Sequence, residues 1–193
     1  MRKTWLNLLV VLFIFIVINE VFADTPPYYH SYQRVVGDGK YVFVMLYEHS
    51  APLMSSPGKQ YPSSGMYLAD GSNVPIWTVD WYELDVFVSS DGEHLVRIGP
   101  WPLLAGGESD PSKLTPNLQQ LAVAFYERGK LLKKYAIADL IKNTDRLQQS
   151  LSHFQWQKDI FFDETLDKLT IVTLDDQKYI FQQHYLYSTN SEP

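Results

Sequence analysis

Hydrophobic residues along this chain recur with the two-residue period of β-strands far more often than with the period of a helix. In residues 40–48, aromatic and aliphatic side chains occupy both faces, which is typical of an interior strand. Only residues 138–152 have helical spacing, and we expect one or two short helices there. The pattern predicts a mainly β protein, an antiparallel meander of about ten strands.

Turn residues divide the predicted strands into hairpins. The pairs Asp38-Gly39 and Asp91-Gly92 each join two strand-like runs, and Asp-Gly supplies the positive backbone angles of a tight hairpin turn with little strain. A third hairpin is predicted around Gly129. Successive hairpins of this kind favour a barrel, a sandwich or propeller blades.

The first two hairpins share a form and lie 53 residues apart, measured from Asp38 to Asp91. The run Ser89-Ser90-Asp91-Gly92-Glu93 closely follows the Ser-x-Asp-Gly turn that leads into an apolar strand. In these features the chain resembles small exported bacterial proteins with WD-repeat-like β-propeller repeats. The resemblance covers residues 32–182 loosely and implies a scaffold of propeller-like blades rather than a particular reaction.

Chain length limits the number of blades. From Asp24 onward the chain has 170 residues, which barely holds the roughly four blades of a small closed propeller. Two long loops and residues 138–152 occupy part of that length. We therefore expect blades that are incomplete, and a β-sandwich is the alternative fold.

The first 23 residues have the layout of a secretory signal. Basic residues follow Met1, residues 6–18 are almost wholly apolar, and Val21-Phe22-Ala23 suits signal peptidase. We expect cleavage before Asp24, leaving residues 24–193 as a single β-rich domain in the periplasm or outside the cell, with no membrane span. An uncleaved membrane anchor is the alternative, although the apolar run is short for a spanning helix.

Composition narrows the range of partners and cofactors. The chain has no cysteine and no Asn-x-Ser/Thr sequon, which fits a bacterial exported protein. Its net charge of −6 is dispersed, and this argues against DNA or RNA as a partner. None of the five histidines pairs at a metal-binding spacing, so we assign no metal ligand and no cofactor.

Two long loops rich in proline and glycine, residues 49–64 and 99–117, interrupt the strands. Trp101 lies between two prolines and is the strongest single candidate for a surface contact. The candidate partner-binding residues on the two loops are Trp101, Leu103, Leu104, Tyr61 and Lys59. The sequence thus favours a non-enzymatic exported binding or scaffold module that contacts a protein or glycan of the cell envelope through these loops.

Two other functions stay open. One is a small cell-envelope hydrolase whose acid and base groups come from several strands, with Asp80, Glu83, Asp85 and His94 as the candidates. The other is a structural subunit whose incomplete blades pair between chains through edge strands. No catalytic residue is assigned, since no nucleophile or acid–base motif is present at a useful spacing.

Overall fold

The computed structural model describes residues 28–47, 60–106, 113–150, 153–163 and 167–182. Within these residues the protein is mainly β, and all of its strand pairs are antiparallel, which confirms the expected class. Residues 1–23, the predicted signal, lie outside the described residues. No described helix is long and apolar enough to cross a membrane.

The first sheet is a meander of four strands in chain order. The strands are β1 (Tyr32–Val36), β2 (Tyr41–Met45), β3 (Gly65–Leu68) and β4 (Trp77–Thr78). Strand β2 lies between β1 and β3, so the predicted interior strand is confirmed. The β1–β2 turn has positive φ at both Asp38 (52°) and Gly39 (86°), as a two-residue hairpin turn requires.

The second sheet is also a four-stranded meander. Its strands are β5 (Val86–Val88), β6 (His94–Ile98), β9 (Leu121–Glu127) and β10 (Lys130–Ala136), in the spatial order β10-β9-β6-β5. Between β6 and β9 the chain makes an excursion in which β7 (Leu104–Ala105) pairs with β8 (Thr115–Pro116). The hairpins predicted around Asp91-Gly92 and Gly129 are both present.

The third sheet has three strands, β13 (Gln157–Asp163), β14 (Lys168–Thr173) and β15 (Lys178–Gln182). Residues 138–152 contain less helix than their spacing predicts. Helix α1 (Ile137–Leu140) and a 3-10 turn (Thr144–Arg146) are followed by a hairpin of β11 (Gln148–Gln149) and β12 (Phe154–Gln155). The helix stops because Ile141 is already extended.

The hydrophobic core lies on both faces of the second sheet. One cluster joins the first sheet to the second and includes Phe43, Met66, Trp77, Leu95 and Tyr126. The other joins the second sheet to the third and includes Val96, Phe125, Leu169, Ile171 and Phe181. The second sheet is therefore the middle layer, and none of the described sheets closes on itself. The two-faced burial explains why the interior strand β9 is almost wholly apolar, whereas the edge strand β10 carries three lysines.

The two Asp-Gly hairpins of the sequence repeat meet in space, since a Cβ on Gly37 would lie 2.5 Å from the Ser90 carbonyl oxygen. The indole Nε1 of Trp77, on the first sheet, donates a 2.9 Å hydrogen bond to the carbonyl of Gly92, in the turn of the second. Trp77 is buried, so this bond satisfies a donor that would otherwise be isolated in the core. The bond thereby joins β4 of the first sheet to the β5–β6 turn of the second sheet.

Candidate functional site

A cleft of about 940 Å³ lies where the second sheet meets the segment before the third sheet. Three stretches of chain line it together with Tyr29, namely residues 83–85, 98–102 and 148–157, of which 151 and 152 are outside the described residues. Ile98, Phe154 and Trp156 belong to the buried core and form its apolar floor. Its volume is in the range of sites that bind small molecules.

Trp101 reaches the cleft because the chain leaves β6 at a glycine. A Cβ on Gly99 would lie 1.7 Å from the carbonyl oxygen of Leu121, so only glycine fits this close approach to β9. Beyond Gly99 the chain pairs with the hairpin β11–β12: the Phe154 amide donates to the Pro102 carbonyl at 3.1 Å, and Leu103 forms an antiparallel bridge with His153.

The Trp101 side chain is half-buried and packs on an imidazole. Its ring centroid lies 4.7 Å from that of His153, with 35° between the ring planes. The indole of Trp101 makes no hydrogen bond within the described residues, so its N–H remains available. The cleft therefore contains an aromatic surface with a free donor, held on one side by a second ring.

Glutamine side chains supply most of the polar groups beside Trp101. Those of Gln148 and Gln149 make no hydrogen bond within the described residues, while Gln155 Nε2 donates to the Gln157 carbonyl at 2.9 Å. Gln157 begins β13 at a break in the strand register, a feature that re-aims side chains. Its Oε1 is buried and has no hydrogen-bond partner. Leaving such an acceptor unpaired costs about 1–3 kcal/mol.

Two carboxylates border the cleft in different states. Glu83 is buried, its Oε2 lies 3.5 Å from Arg97 Nε, and its Oε1 accepts from the Leu84 amide at 3.2 Å. Burial raises the pKa of Glu83, although the Leu84 amide and Arg97 oppose the shift, and the nearby Asp85 adds to it. Asp85 itself is exposed, and its carboxylate makes no hydrogen bond or ion pair within the described residues.

A cluster of tyrosines positions Tyr29 at the cleft. The Tyr29 ring stacks on Tyr47 with centroids 5.6 Å apart and meets Tyr82 edge-on at 5.8 Å. The Tyr82 hydroxyl donates to the His30 carbonyl at 2.9 Å and accepts from the His30 amide at 3.2 Å. Tyr82 therefore holds the backbone of His30, the residue that follows Tyr29, by contacts remote in sequence.

The structure separates the residues predicted to bind a partner. Trp101 lines the cleft, Leu103 is 52% exposed outside its lining, and Leu104 packs partly against the core. Tyr61 differs from the expectation of a surface contact: it is only 5% exposed, and its ring lies 4.5 Å from that of Tyr67. It covers the outer face of the first sheet, which needs an apolar cover. Lys59 lies outside the described residues, as does most of loop 49–64.

The candidate hydrolase residues are only partly brought together. Glu83 and Asp85 line the cleft, whereas Asp80 is exposed outside it. His94 lies beside a separate cavity of about 30 Å³, with its Nδ1 2.8 Å from Asp91 Oδ2. No group of three or more histidine, aspartate and glutamate side chains suited to a metal ion occurs in the described residues.

The glutamines of the cleft were not singled out from the sequence. They follow no motif, and two of them lie in residues 138–152, where a helix was expected. Comparisons with protein-family models, with curated proteins and with solved structures find no match to this chain. What the site offers is an aromatic surface beside unpaired amide and carboxylate groups in a concave setting.

Proposed function

We propose that the protein binds a carbohydrate in this cleft and does not transform it. The observation that carries the proposal is the half-buried Trp101 ring, packed at a tilt against His153 in a cleft that is also lined by the side chains of Gln148 and Gln149, unpaired within the described residues. A pyranose ring has an apolar C–H face and a rim of hydroxyls. An indole packs against such a face, and neighbouring amides and carboxylates bond the rim.

A glycan fits the cleft better than a protein partner does. Small-molecule sites are concave, mostly apolar at the base and supplied with a few oriented polar groups, and the cleft has these features. A protein docking on loop 99–117 would instead contact its outer side, where Leu103 is exposed. Trp101, which lines the cleft, and Leu103, on the outer side of the loop, therefore distinguish a glycan partner from a protein partner.

Binding is favoured over hydrolysis by the state of the carboxylates. Glycoside hydrolysis commonly uses two carboxyl groups, an acid and a base or nucleophile. Both oxygens of Glu83 are engaged, one near Arg97 and one by the Leu84 amide. Asp85 is left as the one unpaired carboxylate among the described lining residues.

The finer fold proposal is an assembly of incomplete propeller-like blades. Its support is the succession of meanders with four, four and three strands, and the close approach of Gly37 to Ser90, which brings the Asp-Gly hairpins of the first two together. The alternative is a layered β-sandwich, supported by the face-to-face packing on both sides of the second sheet.

The proposed place of action is the periplasm or the cell exterior. It is supported by the signal-like residues 1–23 and by the lack of cysteine. Fractionation of the producing cells, followed by mass spectrometry of the N-terminus, should recover a chain that begins at Asp24. Recovery of the unprocessed chain from the cytosol would contradict export.

The binding proposal is tested with the purified full-length protein on a glycan array, followed by calorimetry with the soluble oligosaccharides that bind. Trp101→Ala should weaken binding by at least about tenfold, because buried aromatic contacts dominate such sites. Trp101→Phe should recover part of it. Leu103→Ala, in the same loop but outside the cleft lining, is the matched control and should bind like the wild type.

Several outcomes would overturn the proposal. They are the absence of any bound glycan, wild-type binding by Trp101→Ala in a folded protein, and shortened oligosaccharides on chromatography after incubation. The last result, if lost in Glu83→Gln or Asp85→Asn, would favour the hydrolase instead. Thermal unfolding of each variant verifies that it is folded.

A further inference from the structure

We infer that the cleft selects uncharged saccharides over those that carry carboxylate, sulfate or phosphate groups, an inference that rests on the proposed carbohydrate binding. None of the described residues that line the cleft is a lysine or an arginine. Recognition of acidic groups on sugars relies on such cations, because they pair with the anion by charge-assisted hydrogen bonds. The lining instead contains two carboxylates, Glu83 and Asp85.

Nearby arginines are engaged by other groups. Arg97 pairs with Glu83 at 3.5 Å and lies over the Trp81 ring, 4.5 Å from its centroid. Arg34 donates to the Val86 carbonyl and lies over Tyr32. The charge of Glu83 is thus balanced by Arg97, and Asp85 keeps an unpaired negative charge at the cleft.

The hydrogen-bonding capacity of the lining points the same way. Gln148 and Gln149 each present free donors and a free acceptor, while the exposed Asp85 carboxylate only accepts. A sugar hydroxyl donates as well as accepts, so it satisfies both kinds of group. A carboxylate or sulfate only accepts, so it can pair with the amide donors alone, and it faces the like charge of Asp85.

The inference is tested by calorimetry at pH 8 and low salt, where imidazoles carry little positive charge. The probes are neutral oligosaccharides of β-linked glucose and of N-acetylglucosamine, and an oligogalacturonate of equal length. The wild type should prefer a neutral probe by at least about fivefold, as expected for like charges a few ångströms apart in a partly solvated site. The preference should shrink as salt is added.

Asp85→Asn should raise the affinity for oligogalacturonate severalfold, and the ratio of neutral-probe affinity to oligogalacturonate affinity should fall accordingly. Asp80→Asn makes the same change of charge at an exposed position outside the cleft lining and should leave the preference unchanged. A general effect of net charge would make the two variants alike, and that result would overturn the role of Asp85.

The inference and the proposed function fail in different ways. If oligogalacturonate binds as tightly as the neutral probes, and Trp101→Ala abolishes its binding, the carbohydrate site stands but the inferred selectivity is wrong. If no probe of either class binds in a manner that depends on Trp101, the carbohydrate site itself is wrong, and the selectivity is withdrawn with it.

Discussion

The side-chain amide of Gln120 brackets the backbone of Leu103, accepting from its amide at 3.1 Å and donating to its carbonyl at 2.7 Å. The side chain thereby acts as a one-residue strand partner for the loop that carries Trp101. A third bond, from Gln120 Nε2 to the Asn117 carbonyl at 3.1 Å, ties the far end of the excursion to the same residue. The aromatic side of the cleft is therefore held by a residue that does not line it.

Replacing Gln120 should loosen the Trp101 loop without unfolding the protein. Gln120→Ala removes two bonds to Leu103, each contributing about 0.5–1.5 kcal/mol, and should reduce the protection of residues 99–106 in hydrogen exchange. Oligosaccharide affinity should fall severalfold because Trp101 is no longer preorganised. Gln119→Ala is the matched control, since Gln119 is exposed and its side chain makes no hydrogen bond in the described residues. Equal exchange in both variants would contradict this role.

The Gly92 backbone approaches the ring of Tyr41 too closely to admit a side chain. A Cβ would lie 2.7 Å from Tyr41 Cδ2, and φ is +71°. Gly92→Ala should therefore lower the free energy of unfolding by more than about 2 kcal/mol. Gly39 also has a positive φ, of +86°, but no atom lies within 4 Å of the position that a Cβ would take. Gly39→Ala should therefore lower the free energy of unfolding by only about 1 kcal/mol. Urea unfolding measures both; equal losses would show that the contact with Tyr41 is unimportant.

The hairpins were predictable because their determinants are local. Asp38 and Gly39 take positive φ angles that few residue pairs accept, so the turn and its flanking strands follow from a short stretch of chain. The burial of Tyr61 was not predictable in this way. It depends on Tyr67 and on the outer face of the first sheet, and loop composition does not report whether a sheet face is already covered.

Part of the candidate site was visible in the sequence and part was not. Trp101 is conspicuous between two prolines, and the structure places it at the cleft. Because the sequence predicts helix in residues 138–152, it does not place Gln148 and Gln149 at the cleft. In the structure they pair with Gln155 and Phe154 in a two-residue ribbon. Apolar spacing over so short a stretch fits either a helix or an irregular segment that packs Leu147 on the core, and tertiary contacts decide between them.

Tyr29 should contribute to ligand binding, whereas its neighbour should not. Tyr29 lines the cleft and stacks on Tyr47, while Tyr28 is 86% exposed outside the lining. Tyr29→Ala should weaken oligosaccharide binding by about threefold to tenfold, a typical loss for a partly exposed aromatic contact. Tyr28→Ala removes the same side chain one position away and should bind like the wild type in calorimetry. Equal effects would place the ligand elsewhere.

Glu83 should make stability fall as the pH rises through the mildly acidic range. Burial raises its pKa above 4.5 in the folded protein, so the folded state holds this proton more tightly than the unfolded state. The resulting stabilisation is complete below about pH 4.5 and is lost as the pH passes through the folded pKa. Glu83→Gln has no such proton, so its stability relative to the wild type should increase between pH 4 and pH 7. Urea unfolding across that range measures the difference; a constant difference would mean that the pKa is not raised.

Asp175 should give the opposite pH dependence. Burial by itself would raise its pKa, but hydrogen bonds from the Thr173 hydroxyl and from the Asn143 and Lys142 amides lower it overall. The folded state therefore favours the carboxylate, and the stability it provides is present above the unfolded pKa and lost as the pH falls through the folded one. These bonds tie the end of α1 to the β14–β15 turn.

Asp175→Asn should thus lower the free energy of unfolding by about 1–2 kcal/mol at pH 7, as expected for hydrogen bonds to a charged group, and by less near pH 3. The adjacent Asp176 is the matched control. It is exposed, and within the described part of the chain its side chain makes two surface ion pairs, 3.5 Å from Arg146 and 3.4 Å from Lys158. Asp176→Asn should change stability by less than about 0.5 kcal/mol at either pH. If both variants lose the same stability, the link between α1 and the third sheet does not depend on the Asp175 carboxylate.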